Sequence, residues 1–177
     1  MAGRWFTDAV DLSSYAVLSD RVRAGANLSA AATNETLVIA LAHVTRFAYA
    51  CEGRSNAEVF DTLSGYYDTA ERFAAVAGGC VVKYMGDGVL FAFPQSAARN
   101  AIRALEEFQS AASELWHDFD SPCGVEINVH VGRAATGDFG QGADRRSDIV
   151  GEAVNELSKM PWDGLHVSPQ LRALLDA

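Results

Sequence analysis

The stretch Val81-Val-Lys-Tyr-Met-Gly-Asp-Gly-Val-Leu-Phe-Ala-Phe93 constrains this chain more than any other. Two apolar, β-prone runs flank a Gly-Asp-Gly centre, the sequence form of a tight β-hairpin. Glycine on both sides of Asp87 permits positive φ in the turn and leaves the carboxylate uncrowded at the tip. Taken alone, such a turn is first of all structural. Lys83 shifts that balance, because it places a cation in an otherwise apolar strand just before the turn. A tip carboxylate with a lysine behind it is equipped to hold a metal ion and a nucleotide.

The 177 residues suffice for one domain with a core that needs no staples. A formal charge of −9 argues against an extended DNA or RNA interface, which needs a basic face. It leaves room for a small phosphorylated ligand held by a few local cations or backbone N–H groups. Cys51, Cys80 and Cys123 are widely spaced and form no CxxC or Cys/His metal framework, so reduced, buried thiols are expected. No segment approaches the roughly 20 apolar residues of a membrane span. The N-terminal residues lack the basic start and apolar centre of a signal peptide, and the expected location is cytoplasmic.

Residues 1–33 read as a separate N-terminal segment, with an amphipathic helix over Trp5–Val22 and a small polar linker over Asn27–Asn34. A flap over the core, a dimer contact and a link to a regulator are equally open readings of that helix. Residues 34–177 read as the main domain. Thr36–Val44 is a continuous apolar run suited to a central strand buried on both faces. Thr45–Gly53 is a loop or short helix. Ser55-Asn-Ala-Glu58 has capping-box form and opens a helix of about six turns that closes at Gly78-Gly79. After the hairpin comes a second helix over Ser96–Trp116, with Ala98, Ala101, Ile102, Leu105, Phe108, Ala112 and Leu115 as its buried stripe. Asp118–Pro122 is a turn. Val125, Ile127, Val129 and Val131 alternate with Glu126, Asn128 and His130, predicting one buried and one polar face. Gly132, Gly137, Gly140 and Gly142 predict a flexible, charged hairpin region. Asp148–Val150 is a short strand, Glu152–Lys159 a helix stopped by Pro161, Leu165–Val167 a last strand, and Ser168-Pro169 the cap of a final helix. The order points to an α+β sandwich, a mixed sheet covered by helices on one face.

Chemistry concentrates at Asp87 with Lys83, at Asp148–Lys159, and at His43 where the first strand ends. Asn155 and Lys159 share a helix face. Asn155 can donate or accept, Lys159 can meet a phosphate, and Asp148 can accept from a base's exocyclic amine. An ordinary exposed helix face explains the same residues without any ligand.

Together, Lys83-Tyr-Met-Gly86-Asp87-Gly88, His130-Val-Gly132 and Asp148-Ile-Val-Gly151-Glu-Ala-Val-Asn155-Glu-Leu-Ser158-Lys159-Met160 resemble the catalytic domain of the class III adenylate and guanylate cyclases. The resemblance spans residues 36–168 and implies a ferredoxin-like βαββαβ core with additional strands and helices. It implies a head-to-tail dimer with nucleotide sites at the interface, and two divalent cations that activate the ribose 3′-hydroxyl for attack on the α-phosphate. By position, Asp87 matches the hairpin metal ligand, Lys83 and Asp148 the adenine-reading pair, and Asn155 the ribose-orienting asparagine.

Three positions depart from the pattern. His43 falls where the family's first metal-binding aspartate stands, next to Val44 and Phe47 of the phosphate turn. Arg46 takes a position that is usually glycine, either crowding the phosphates or supplying a cation to them. Lys159 replaces the transition-state arginine, keeping the charge and losing the bidentate fork. The implied sites are Asp87 and His43 for metal, Lys83, Asp148, Arg46 and Phe47 for nucleotide, and Asn155 and Lys159 for catalysis. Histidine suits Mn²⁺ better than Mg²⁺, so Mn²⁺ is the favoured cofactor. The implied function is cyclisation of a nucleoside triphosphate, ATP favoured with GTP or pyrimidines open, in intracellular signalling. The alternative is a degenerate cyclase domain that binds nucleotide or complements a partner chain, in a homodimer or heterodimer.

Overall fold

The computed structural model describes residues 33–117, 123–141 and 146–177. The helix expected over Trp5–Val22, residues 27–32 of its linker, the Asp118–Pro122 turn and Gly142 lie outside the described residues, whereas Thr33 and Asn34, expected in the linker, belong to the first strand.

The first strand, β1 (Thr33–Val44), is followed by the one-turn helix α1 (Phe47–Ala50) and the long helix α2 (Asn56–Val76). The hairpin β2 (Cys80–Met85) and β3 (Gly88–Pro94) leads through a short 3₁₀ turn into α3 (Ala98–Leu115). Then come β4 (Val125–Phe139), β5 (Arg146–Val150), α4 (Glu152–Lys159), β6 (Leu165–Val167) and α5 (Pro169–Asp176). The sheet order is β2-β3-β1-β4-β5, every neighbouring pair being antiparallel. β6 adds in parallel to the start of β4. The unit β1-α2-β2-β3-α3-β4 is the expected ferredoxin-like core, and β5, β6, α1, α4 and α5 are the additions.

β1 is central and buried on both sides, as its unbroken apolar run requires. Val38, Ala40, Ala42 and Val44 face the main core with Tyr66, Phe91, Phe108 and Trp116 from the hairpin and helices. Leu37, Ile39 and Leu41 face a second cluster containing Ile149 and, from α4, Ala153 and Leu157. Helices therefore cover both faces, α2, α3 and α5 one and α4 the other, which corrects the one-sided layering read from the sequence. An eight-residue helix buries only a narrow stripe, too little to show as a layer in linear order.

α2 forms as its caps dictate. Ser55 accepts from Glu58 N and the Glu58 carboxylate accepts from Ser55 N. At the other end Gly78 takes φ 75° while Gly78 N and Gly79 N donate to Ala75 O and Ala74 O, a Schellman closure. α3 buries Ala98, Ala101, Leu105, Phe108 and Ala112 of its expected stripe, with Ile102 half-buried at its edge. Leu115 is 37% exposed and Trp116 fully buried, because Trp116 leaves the helix and turns its indole against Tyr66 and Phe47.

Two further expectations are corrected in β4. Its polar face is not open: Asn128 and His130 are 0% and 7% exposed, roofed by α4 and by the Ser168 turn. The glycine-rich hairpin does form, as β4 and β5, but its first arm is regular rather than loose: β4 runs unbroken through Gly132 and Gly137 with β1 and then β5 as its partner. At Gly132 a Cβ would stand 2.9 Å from Ala153 Cβ, so the glycine there is the seat of α4. Among the described residues, no helix is long and apolar enough to cross a membrane.

Candidate active site

Met85 pairs with Gly88, leaving Gly86-Asp87 as a two-residue turn in which Gly86 has φ 66°. Two bonds fix it: the Tyr67 hydroxyl donates to Gly86 O, and Val44 N donates to Asp87 O at 3.2 Å. The second ties the hairpin tip to the end of β1 and brings Asp87 beside His43, with Oδ2 4.0 Å from Nδ1. In the register His43 lies opposite Gly88 on one side and Glu126 on the other. Glu126 Oε2 is 3.2 Å from His43 Nε2, and Trp162 meets the imidazole at a T-shaped 4.3 Å.

Asp87 and His43 thus come together as a candidate ion site, one carboxylate and one imidazole, each about a third exposed. Among the described residues no group of three or more His, Cys, Asp or Glu is arranged to hold a metal ion, because Glu126 addresses the far nitrogen of the ring. A nitrogen–oxygen pair with open positions fits Mn²⁺ and softer ions better than Mg²⁺.

Arg46 has φ 54° and ψ 28°, the positive-φ conformation found at no other non-glycine among the described residues. The backbone here thus has the shape that favours glycine, the residue the resemblance expects. Thr45 secures the turn through Thr45 N to Gly124 O at 2.8 Å and Gly124 N to Thr45 Oγ1 at 2.9 Å. The Phe47 ring packs T-shaped on Trp116, so its side chain belongs to the core and only its backbone is offered to the turn.

Lys83 Nζ donates to Asp148 Oδ2 at 2.8 Å, and the other carboxylate oxygen accepts from Ile149 N at 2.7 Å. A register shift produces this meeting. Val81 pairs with Phe91, which faces the main core, while Lys83 pairs with Leu90, which faces the α4 side. The β-bulge between Val81 and Lys83 therefore turns the lysine onto the second face, where Asp148 lies.

Asn155 and Lys159 are exposed on α4, and their hydrogen bonds and ion pairs stay within that helix and its entry. Lys159 Nζ is 2.6 Å from Glu156, and Asn155 O accepts from Ser158 Oγ. The Glu156 contact raises the Lys159 pKa and lowers that of Glu156. The structure does not bring either residue to Asp87 or His43. From beneath, Asn128 Nδ2 donates to Leu157 O at 3.0 Å and holds the end of α4. His130 Nδ1 is 3.0 Å from Ser168 Oγ, and burial lowers its pKa against the opposing pull of Glu156 and Glu152. Glu126, Trp162, Asn128 and Tyr67 were not singled out from the sequence. Only register and packing reveal them.

No protein-family model and no curated protein sequence matches this chain. Its shape does match solved structures. The adenylyl cyclase CyaB from P. aeruginosa aligns with a TM-score of 0.75 at 18% identity, over 82% of this chain and 83% of that one. The fold is that of the class III nucleotide cyclase catalytic domain. The guanylyl cyclase Cya2 shares the cyclase fold with a TM-score of 0.72 at 20% identity, over 81% of this chain and 79% of that one. A bacterial light-regulated adenylyl cyclase aligns at 0.71 and 20% identity over 82% of this chain, which spans 46% of that longer protein.

Proposed function

We propose that this chain is a nucleotide cyclase that converts a nucleoside triphosphate, ATP in preference to GTP, to its 3′,5′-cyclic monophosphate and pyrophosphate. The observation that carries the reading is the Lys83–Asp148 pair, an ammonium and a carboxylate brought together on a cyclase fold where base recognition is expected. An ammonium donates to adenine ring nitrogens and a carboxylate accepts from its exocyclic amine. The active form is a dimer of residues 34–177, acting in the cytoplasm. Asp87 and His43 of one chain face Lys83, Asp148, Asn155 and Lys159 of the other.

In that site Asp87 and His43 hold the divalent ion, Mn²⁺ in preference to Mg²⁺. When bound, the ion supplies Lewis acidity to the 3′-hydroxyl and charge neutralisation to the triphosphate. Asn155 orients the ribose so that its 3′-oxygen lies in line with the α-phosphorus. Lys159 and Arg46 offset the charge that builds on the phosphates, Lys159 as a point charge rather than a fork. The backbone of Arg46 and Phe47 lines the phosphate turn.

Incubation of the purified chain with ATP, GTP, CTP and UTP, with Mg²⁺ and Mn²⁺ separately, tests the reading by the cyclic product formed. Cyclic AMP with Mn²⁺ is expected, and its loss in Asp87→Ala. No cyclic product from any pairing contradicts a stand-alone enzyme. One observation favours a second reading: the ion site holds a single carboxylate, with His43 already engaged by Glu126. A chain of that kind would lend its Lys83, Asp148, Asn155 and Lys159 half to an intact cyclase chain. Activity confined to such mixtures would favour it.

A further inference from the structure

Asn128 grips the end of the helix that carries Asn155 and Lys159, and the inference below rests on the roles the proposed function gives those two residues. We propose that Asn128 is a positioning residue for the reaction: from beneath α4 its side-chain amide fixes the backbone that carries Lys159 and, one turn earlier, Asn155. Nδ2 donates to Leu157 O at 3.0 Å and, at a longer 3.4 Å, to Met160 O. The two carbonyls it holds enclose Ser158 and Lys159. Both carbonyls only accept, which assigns the NH₂ to that side and turns Oδ1 away from them.

α4 needs such a hold. It is eight residues long, and a helix so short is not stable by its own hydrogen bonds. Met160 leaves it extended, at φ −74° and ψ 152°, and Pro161 follows, so no glycine closure satisfies its last carbonyls. α4 therefore rests on β4 at two points, Ala153 against Gly132 and Leu157 O against Asn128. The first contact is one of shape, which limits approach, whereas the second is directional and fixes where the helix end lies. Asn128 is fully buried, and among the described residues its Oδ1 has no hydrogen-bond partner. A leucine there, opposite Leu41 in the register, would avoid the cost of that unpaired acceptor, so stability alone does not account for an amide. Catalytic geometry does account for it. The short side chain of Asn155 cannot make up for a displaced backbone, and a misplacement of about 1 Å is costly to rate.

The test uses the full chain with Asn128→Leu, which keeps the size and removes the donors, and with Asn128→Ala as a second variant. In nucleotide-free protein, amide hydrogen exchange across residues 152–160 is expected to quicken about three- to tenfold in both, as the loss of a net hydrogen bond implies. Exchange in β1 and β3 should stay as in the parent. With ATP and Mn²⁺, kcat is expected to fall about tenfold or more while KM changes far less. The urea midpoint of Asn128→Leu should not move. Exchange in α4 equal to the parent's would overturn the proposal. So would an unchanged kcat, or a kcat loss that only tracks lost urea stability, which would make Asn128 a packing residue. A parent that makes no cyclic product, in which α4 exchange still quickens on Asn128→Leu, would count against the proposed function and leave the hold on α4 standing.

Discussion

Lys83 Nζ stands 2.8 Å from Asp148 Oδ2, joining β2 and β5, which lie at opposite ends of the strand order β2-β3-β1-β4-β5. The pair is partly exposed, 36% and 27% by side chain, and such pairs contribute only about 0–1 kcal/mol to stability. Lys83→Met and Asp148→Asn are therefore expected to leave urea unfolding within about 1 kcal/mol of the parent. Adenine nucleotide binding, read by titration calorimetry, should weaken about tenfold or more, because each leaves a base-facing polar group unpaired. Equal binding would show that the pair is merely structural.

Arg46 carries a backbone strain that glycine does not feel. The left-handed conformation costs a side-chain-bearing residue about 1–2 kcal/mol. Glycine's extra freedom in the unfolded chain takes back up to about 1 kcal/mol. Arg46→Gly is expected to raise stability by some tenths to about 1 kcal/mol in urea melts. Triphosphate affinity should fall several-fold and become less salt-dependent, because one of the two cations on the phosphates is gone. Tighter binding would mean that Arg46 obstructs the phosphates.

An aspartate at position 43 would restore the residue that the resemblance expects, but it would lie directly opposite Glu126 in the β1–β4 register. Like charges placed so are destabilising by up to about 1 kcal/mol. His43→Asp alone is expected to lower the melting temperature and give little Mg²⁺-supported product. The double variant His43→Asp/Glu126→Gln should recover stability and raise product with Mg²⁺ above that of either single change. Strict additivity of the two substitutions would show that positions 43 and 126 are uncoupled.

His130 gives stability a pH slope. Burial lowers its pKa in the folded state, while Glu156 and Glu152 on α4 pull the other way and Ser168 occupies Nδ1. In the unfolded chain its pKa is about 6.5. Below that value the unfolded state binds more protons, so stability falls as pH drops from about 6.5 towards the folded value, and rises again on the return. Thermal melts between about pH 5 and 6.5 are expected to show this slope in the parent and a flatter one in His130→Gln. Glu58 and Glu156, whose pKa values are lowered, titrate below that window and do not obscure it.

The elements were legible where local chemistry decides them. Ser55 with Glu58, Gly78-Gly79, Ser168-Pro169 and the Gly86-Asp87 turn each mark a boundary through bonds made within a few residues. β4 was misread because alternation reports which residues are polar, not whether another element roofs them. Asn128 and His130 are buried by α4, which follows them in sequence. Gly132 and Gly137 read as points of flexibility in a hairpin until β1 and β5 are seen to pair with that stretch. Asp87 and Lys83 were visible as chemistry, but the bulge that turns Lys83 towards Asp148 has no local signature. Glu126 was invisible for a related reason, since its link to His43 exists only through the pairing of β1 with β4.

The most direct test of a site shared between two chains mixes two broken ones. Asp87→Ala removes the ion ligand of one half and Asn155→Ala the ribose contact of the other, so each variant alone is expected to be silent with ATP and Mn²⁺. Co-refolded in equal amounts, half of the dimers are mixed and each mixed dimer holds one intact site, so about a quarter of wild-type cyclic AMP formation is expected. A mixture as silent as its components, beside an active wild-type protein, would contradict a site built by two chains.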